Sequence, residues 1–155
     1  ISFLRGRLAW QFVKVGNKNF DILDARRYWE TTVKEDSNSI IFLNALGFAY
    51  YAEGKYNKAN QVWSDALALI DQTQTFPPEA LNTYAGLALG LRKIAEQQTG
   101  KSEKFYINKA LNLRQKVMRS DPVNFQADNL AKNWIWSEQA ILDWKSFLPA
   151  TTAAK

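Results

Sequence analysis

Apolar residues recur along most of this chain every three to four positions, which is the spacing of one face of an α-helix. The pattern predicts about seven helices, near residues 2–15, 23–34, 39–53, 56–70, 78–98, 102–119 and 127–147. Only four Pro and seven Gly occur in 155 residues, and this scarcity favours long helices over a β-fold with many turns. We therefore expect an all-α protein.

The clearest internal unit runs from Ile40 to about Asp71. Its special positions follow in order within one window: Leu46-Gly47, Tyr50, Gly54, Tyr56, Ala59, Trp63 and Ala66. Small side chains such as Gly47 and Ala59 permit two helices to approach closely, and large aromatic side chains fill the space beside them. The unit predicts a helical hairpin with a packed interior.

Two further copies of this unit are less regular. Ala25 and Trp29 precede Ala59 and Trp63 by 34 residues each, whereas Gly6 precedes Gly47 by 41, which predicts about seven extra residues in the turn at 16–22. A third copy opens at Pro78, which is tolerated in a first helical turn. It continues with Ala85-Gly86 and has Ala110 at the small position of its second helix.

This order of residues resembles the tetratricopeptide repeat, in which a helix A carrying a Leu-Gly pair and an aromatic residue precedes a helix B with Ala, aromatic and Ala. The resemblance implies one domain, 1–148, forming a right-handed α–α superhelix, or solenoid. Its repeats would span about 2–36, 40–73 and 78–122, followed by a capping helix at 127–147 and a flexible tail at 149–155. The chain also resembles helical-repeat segments attached to larger regulatory proteins of bacteria, cyanobacteria among them.

In the tetratricopeptide family the A helices line a concave groove that binds a peptide or a helix of another protein. By resemblance, packing between helices would use Gly47, Tyr50, Ala59, Trp63, Ala66, Ala25, Trp29, Gly86 and Ala110. The groove would expose Asn44, Phe48, Tyr51, Ile41, Arg7, Trp10, Gln11, Thr83 and Leu87. An amide can hydrogen-bond a peptide backbone, and aromatic side chains are frequent anchors at binding surfaces. The alternative is that Phe48 and Tyr51 only pack against neighbouring helices.

Tryptophan is unusually frequent, with six residues in the chain. Trp29, Trp63, Trp134 and Trp144 fall on apolar stripes and are expected in the core. Trp10 and Trp136 lie beside the main stripes of their helices, so either could be exposed for binding. Family members that hold a C-terminal carboxylate do so with Lys, Asn and Arg, a set that this sequence does not reproduce. A ligand that is apolar or mixed, with one acidic contact, is therefore expected.

Catalytic chemistry has little support in the sequence. The chain has no Cys and no His, which removes thiol nucleophiles, the usual zinc sites and histidine acid–base catalysis. Gly100-Lys101-Ser102 imitates the end of a phosphate-binding loop, but Ala95 stands where that loop requires Gly. The simpler interpretation is that one helix ends at Gly100 and Ser102 caps the next. We expect no enzyme activity, no cofactor and no metal.

Basic residues between Arg92 and Arg119 account for most of the net charge of +5. They form either a solvated face or a surface that attracts an acidic partner, a polyanion or anionic lipid. The absence of a base-stacking motif argues against nucleic acid. Because no run approaches the roughly 18–20 apolar residues that cross a bilayer, no membrane insertion is expected.

The chain starts at Ile1 without an initiator Met or a signal-peptide pattern, so we expect a cytoplasmic piece of a longer protein. The leading functional hypothesis is a protein-interaction module that binds a peptide or helical segment of a partner in the helix A groove. The alternatives are a structural spacer that self-associates through the edges of the array, for instance through Trp136 or the first helix, and a polyanion-binding module that uses residues 92–119.

Overall fold

The structure, a computed structural model, describes residues 1–147. Over this part of the chain it is all-helical, which confirms the predicted all-α class. Leu148 and the expected tail at 149–155 lie outside the described residues. The helices are α1 (Ser2–Lys14), α2 (Ile22–Glu35), α3 (Ile40–Ala52), α4 (Tyr56–Asp71), α5 (Ala80–Ala95), α6 (Gly100–Ser120), α7 (Ala127–Leu130) and α8 (Glu138–Lys145).

Several helix ends are fixed by local side-chain chemistry. Asp21 and Asp24 form a reciprocal capping box at the start of α2, and Ser39 accepts a hydrogen bond from the Phe42 backbone N–H at 3.3 Å at the start of α3. The turn between α3 and α4 contains Gly54 with φ of 77°, a left-handed conformation that costs glycine little. These signals separate the chain into short, distinct helices.

Consecutive helices pack as three hairpins, α1 with α2, α3 with α4 and α5 with α6. Each hairpin also contacts the next one, through α2 against α3 and α4 against α5, and α3 contacts α5 directly. The first helices of the hairpins, α1, α3 and α5, correspond to the predicted A helices. The core lies between the hairpins and beneath the C-terminal part of the chain.

A glycine on each first helix lies against a tryptophan. Gly6 of α1 meets the indole of Trp29 in α2, and Gly47 of α3 meets that of Trp63 in α4. A β-carbon at either glycine would overlap the ring, so only glycine fits at this approach. The seven extra residues of the first hairpin are divided between its turn and its first helix. The turn at 15–21 is four residues longer than the turn at 53–55, and α1 continues three residues further beyond its glycine than α3 does.

The predicted single capping helix at 127–147 is wrong. The structure has two short helices there, α7 and α8, separated by non-helical turns at 131–137. The sequence explains why, because Trp134, Ile135 and Trp136 are consecutive and cannot share one face of a helix. In turns, Ile135 and Trp136 become fully buried and Trp134 partly buried. Ser137 then caps α8 by accepting a hydrogen bond from the Ala140 N–H at 3.1 Å.

Candidate functional site

The C-terminal segment, residues 127–147, lies across the first helices of the hairpins. We call the side of α1, α3 and α5 that it covers the A face. Helix α8 contacts α3 and α5, and Trp134 reaches α1 and α2. The surface on which the sequence predicts a partner segment is therefore covered in large part by the chain itself.

Trp136 is a fully buried contact between the C-terminal segment and the A face. Its ring centroid lies 5.2 Å from that of Phe48 and 5.5 Å from that of Trp144. Its indole N–H donates to Oδ1 of Asn82 on α5 at 3.0 Å, and Asn133 Nδ2 donates to the same oxygen at 3.0 Å. Both the ring and the polar edge of Trp136 are thus satisfied, as a buried tryptophan requires.

The turns of the C-terminal segment are tied to α1 through the backbone carbonyl of Trp134. Trp10 Nε1 donates to this oxygen at 2.9 Å and Lys14 Nζ at 3.2 Å. The Arg7 guanidinium lies 4.3 Å from the centroid of the Trp134 ring, a cation–π contact. Burial lowers the pKa of Lys14, which is the expected direction for a partly desolvated ammonium group.

Asp143 anchors α8 by polar contacts with α3 and α5. Tyr51 O–H donates to Asp143 Oδ2 at 2.5 Å, Gln139 Nε2 donates to Oδ1 at 3.0 Å, and Lys93 Nζ lies 3.6 Å from Oδ2. Arg92 Nη1 donates to the Asp143 backbone carbonyl at 2.8 Å. Burial, together with the hydrogen bond to this carboxylate, raises the pKa of Tyr51.

Six of the nine predicted groove residues are buried, which corrects the expectation that they are open to a partner: Trp10, Asn44, Phe48, Tyr51, Thr83 and Leu87. Asn44 is committed to packing between α3 and α5. Its Nδ2 donates to the Glu79 carbonyl at 3.0 Å, and its Oδ1 accepts from the Thr83 hydroxyl at 2.7 Å. Phe48 and Tyr51 pack inside the protein, as the alternative interpretation holds, and the C-terminal segment is among their partners.

Arg7, Gln11 and Ile41 are the predicted groove residues that remain exposed. Arg7 and Gln11 lie on α1, and Ile41 is in the first turn of α3. The nine residues predicted to pack the repeats are all buried. Tyr50 donates its O–H to Glu30 Oε2 at 2.7 Å and so joins α3 to α2.

One part of the A face stays accessible, a groove beside α1 with a volume of about 460 Å³. We call it the open groove. Its walls are mostly apolar, and they come from both sides of the contact between α1 and the C-terminal segment: Trp10, Val13, Lys14, Ile22, Ala52, Ala131, Trp136, Ser137, Glu138, Gln139, Ile141 and Leu142. Leu142 is 53% exposed at its rim.

Of the nine groove residues predicted from the sequence, only Trp10 lines the open groove. The other walls were missed because residues 131–142 were expected to continue one helix that closes the end of the array. Three consecutive bulky apolar residues at 134–136 are the signal that could have indicated a non-helical turn folded onto the A face.

The third hairpin differs from the first two at one packing position. Trp29 and Trp63 each stand four residues after a buried alanine of the second helix, whereas Arg114 stands four residues after Ala110. The Arg114 guanidinium lies 5.0 Å from the centroid of the Trp144 ring and 5.6 Å from that of Phe147. Burial lowers the pKa of Arg114. The C-terminal segment therefore supplies aromatic rings at the position where this hairpin has no tryptophan.

These features define a class of protein, an all-helical array of three hairpins with a C-terminal segment folded onto its first helices. No protein-family model matches the chain, and a search of curated proteins finds no match. Within residues 1–147, no helix is long and apolar enough to cross a membrane. In the same residues, no three His, Cys, Asp or Glu side chains are grouped to hold a metal ion.

Proposed function

We propose that this chain is a tetratricopeptide-like interaction module, not an enzyme, that binds a peptide or helical segment of a partner protein in the open groove. A right-handed superhelical course of its hairpins, and a role within a larger regulatory or scaffold protein, belong to the same proposal. The expected site thus moves from the centre of the A face, which the C-terminal segment covers, to the part beside α1 that this segment leaves accessible.

The observation that carries this proposal is the open groove itself. Its volume of about 460 Å³ falls within the range of roughly 300–1,000 Å³ that is typical of ligand pockets. Such sites are mainly apolar with a few polar groups, and here the lining includes the apolar Val13, Ile22, Ile141 and Leu142 together with Lys14 and Glu138. Two of the lining residues, Trp10 and Trp136, are already fixed by packing in the core, so this part of the groove is preformed.

The chemistry of the walls indicates the ligand. An aliphatic or aromatic side chain of the partner would fill the apolar part of the groove, because removal of apolar surface from water is the main source of affinity at such a site. The Lys14 ammonium at the wall would favour a ligand carboxylate nearby. This matches the expected mixed ligand with one acidic contact.

A random-peptide library displayed on phage tests the proposal, with selected peptides then titrated by fluorescence anisotropy. Leu142→Glu places a charge at the rim of the open groove, and we expect affinity to fall at least tenfold, about 1.4 kcal/mol, because the apolar contact is lost. Leu8→Glu is the matched control. Leu8 is 57% exposed on α1, close to the 53% of Leu142, but does not line the groove.

Both variants alter exposed leucines, so circular dichroism should show them folded. Equal affinity of Leu142→Glu and the unsubstituted chain would remove the groove from consideration. Failure to select any peptide that competes for the groove would contradict the proposal as a whole.

Self-association is a second candidate, favoured by the exposed apolar side chains of α1. Leu4 is 66% exposed, and Leu8 lies one turn further along the same helix. Trp136, suggested as an edge contact, is fully buried and cannot serve in this way. If Leu8→Glu converts a concentration-dependent dimer to a monomer while Leu142→Glu does not, self-association is the better assignment.

A further inference from the structure

The last long helix, α6, has two chemically different sides. Its inner side packs on α5 and on the rings of the C-terminal segment through Ala110, Arg114 and Val117. Five cations on α6 are exposed, namely Lys101, Lys104, Lys109, Lys116 and Arg119. At 100° per residue they fall within an arc of about 140°, opposite the buried positions. We call this arc the basic face.

The basic face is continuous and carries no acidic residue. Asn108, Asn112 and Gln115 lie between its cations, and the acidic residue of α6, Glu103, falls on the inner side. From Lys101 to Arg119 the face extends about 27 Å at 1.5 Å per residue. Within residues 1–147, the cations that form ion pairs are Arg26 and Lys93, so none of the five charges of the basic face is paired with a carboxylate; Lys116 Nζ lies 4.4 Å from the centroid of the Tyr84 ring on α5.

A large apolar ring stands among these cations. Phe105 is 59% exposed and lies near the middle of the arc, with Lys101 and Lys104 on the preceding turn and Lys109 on the following one. Lys109 Nζ lies 5.9 Å from the centroid of the Phe105 ring. A solvated helix face does not require an aromatic residue at its centre, so Phe105 indicates a partner that has negative charges at its surface and an apolar region into which the ring can insert.

We propose that the basic face of α6 adsorbs to the surface of an anionic lipid bilayer, with Phe105 inserted among the lipid headgroups. Clusters of four to eight Lys or Arg on an amphipathic helix are typical of binding to phosphatidylserine-containing surfaces. Five cations and one exposed ring match this pattern. The binding is peripheral and independent of the open groove on the A face.

The shape of the basic face favours a flat partner. Among the described helices, α6 makes its extensive contacts with α5 alone, so the basic face is the outer, convex surface of a single helix with no second helix packed beside it. Proteins that bind single-stranded nucleic acid combine a basic groove with several aromatic rings for base stacking, whereas the basic face is convex and presents one ring. A convex line of charges is suited to a planar surface.

Co-sedimentation with vesicles tests this proposal. The chain should bind vesicles made of a mixture of phosphatidylcholine and phosphatidylserine and dissociate from them at high salt. It should not bind vesicles of phosphatidylcholine alone. Neutralising three cations with Lys101→Gln, Lys104→Gln and Lys109→Gln should weaken binding roughly 100-fold. The matched control neutralises three exposed cations away from α6, with Lys18→Gln, Arg27→Gln and Lys34→Gln, and should weaken binding far less at the same net charge.

Phe105→Ser provides a second measurement, because it leaves every charge in place. It should weaken vesicle binding without changing the salt dependence. The proposal is overturned if the chain does not bind anionic vesicles, or if the two triple variants lose binding equally, which would indicate net charge alone. It is also overturned if the basic face binds a single-stranded oligonucleotide or an acidic peptide more tightly than it binds the vesicles.

Discussion

The first two hairpins and the third hairpin solve the same packing problem with different parts of the chain. In the first two, a tryptophan of the second helix lies against a glycine of the first, Trp29 against Gly6 and Trp63 against Gly47. In the third, Arg114 replaces the tryptophan, and Trp144 and Phe147 of the C-terminal segment lie against its guanidinium. Each tryptophan of the first two hairpins packs on the glycine of its own hairpin, and Trp63 lies against Gly86 of the third as well, whereas the packing at Arg114 depends on residues of the C-terminal segment.

This difference has a consequence for binding. The aromatic rings that complete the third hairpin belong to a segment that also crosses α1 and α3. The same segment therefore both packs in the core and covers the A face. Trp136, Asp143 and the Trp134 carbonyl each hold the C-terminal segment to a different first helix. The segment is thus part of the core, and it forms one wall of the open groove.

The largest expected effect is on the C-terminal segment. Trp136→Ala removes a fully buried indole and its hydrogen bond to Asn82, and should lower the free energy of unfolding by about 3–5 kcal/mol. The measurement is urea unfolding followed by circular dichroism. Trp136→Phe is the control, since it keeps an aromatic ring against Phe48 but loses the N–H donor, and should cost less.

The same variant distinguishes two views of the comparison. If the C-terminal segment is part of the core, α1, α3 and α5 should lose hydrogen-exchange protection together with it. An unchanged free energy of unfolding in Trp136→Ala would mean that the segment is a separable cover, and the three hairpins would then be stable alone.

The second prediction concerns the local packing of the first two hairpins. Gly47→Ala adds a β-carbon that would overlap the Trp63 indole, and it should destabilise the protein by about 1–3 kcal/mol. Helix propensity alone predicts the opposite sign, because alanine is favoured over glycine by about 1 kcal/mol. A thermal melt therefore determines which effect dominates.

Gly6→Ala provides the internal comparison for that prediction. Its β-carbon would overlap the Trp29 indole in the same way, so the two substitutions should have similar costs if the first two hairpins are equivalent. A rise in melting temperature for either variant would contradict the close approach at that hairpin.

The sequence predicts the parts of this molecule that pack locally better than those that depend on the C-terminal segment. Helix periodicity and the repeated positions suffice for α1 to α6, because that pattern is local, and the contacts of Gly6 with Trp29 and of Gly47 with Trp63 each lie within one hairpin. Periodicity did not give the course of residues 131–137, since Trp134 and Trp136 find their partners on α1, α3 and α5, far away in the sequence. Asn44 was misassigned for a related reason, because its partners Glu79 and Thr83 are more than 30 residues away in the sequence.

The open groove was largely missed for the same reason. Val13 and Ile22 come from one end of the chain, and Ile141 and Leu142 from the other. No spacing in the sequence indicates that they form one surface, whereas a repeat signature indicates residues within a single unit.

The smallest expected effect, and the last prediction, concerns a single hydrogen bond, from Tyr50 to Glu30, which joins the first two hairpins. Burial and this hydrogen bond raise the pKa of Tyr50 to about 12. Burial alone would raise the pKa of Glu30, but hydrogen bonds from Arg26 and Tyr50 outweigh it and lower this pKa. Because the folded pKa of Tyr50 exceeds the unfolded value near 10, its contribution to stability is complete below pH 10 and is lost as the pH rises toward 12.

Urea unfolding of the unsubstituted chain and of Tyr50→Phe at pH 8 to 12 measures this contribution, and the two curves of unfolding free energy against pH should converge at high pH. Tyr51 has a raised pKa as well, but it is present in both proteins, so its titration does not contribute to the difference between the two curves. A constant difference between the two proteins over this range would show that the Tyr50 hydroxyl contributes no pH-dependent stability to the contact between the hairpins.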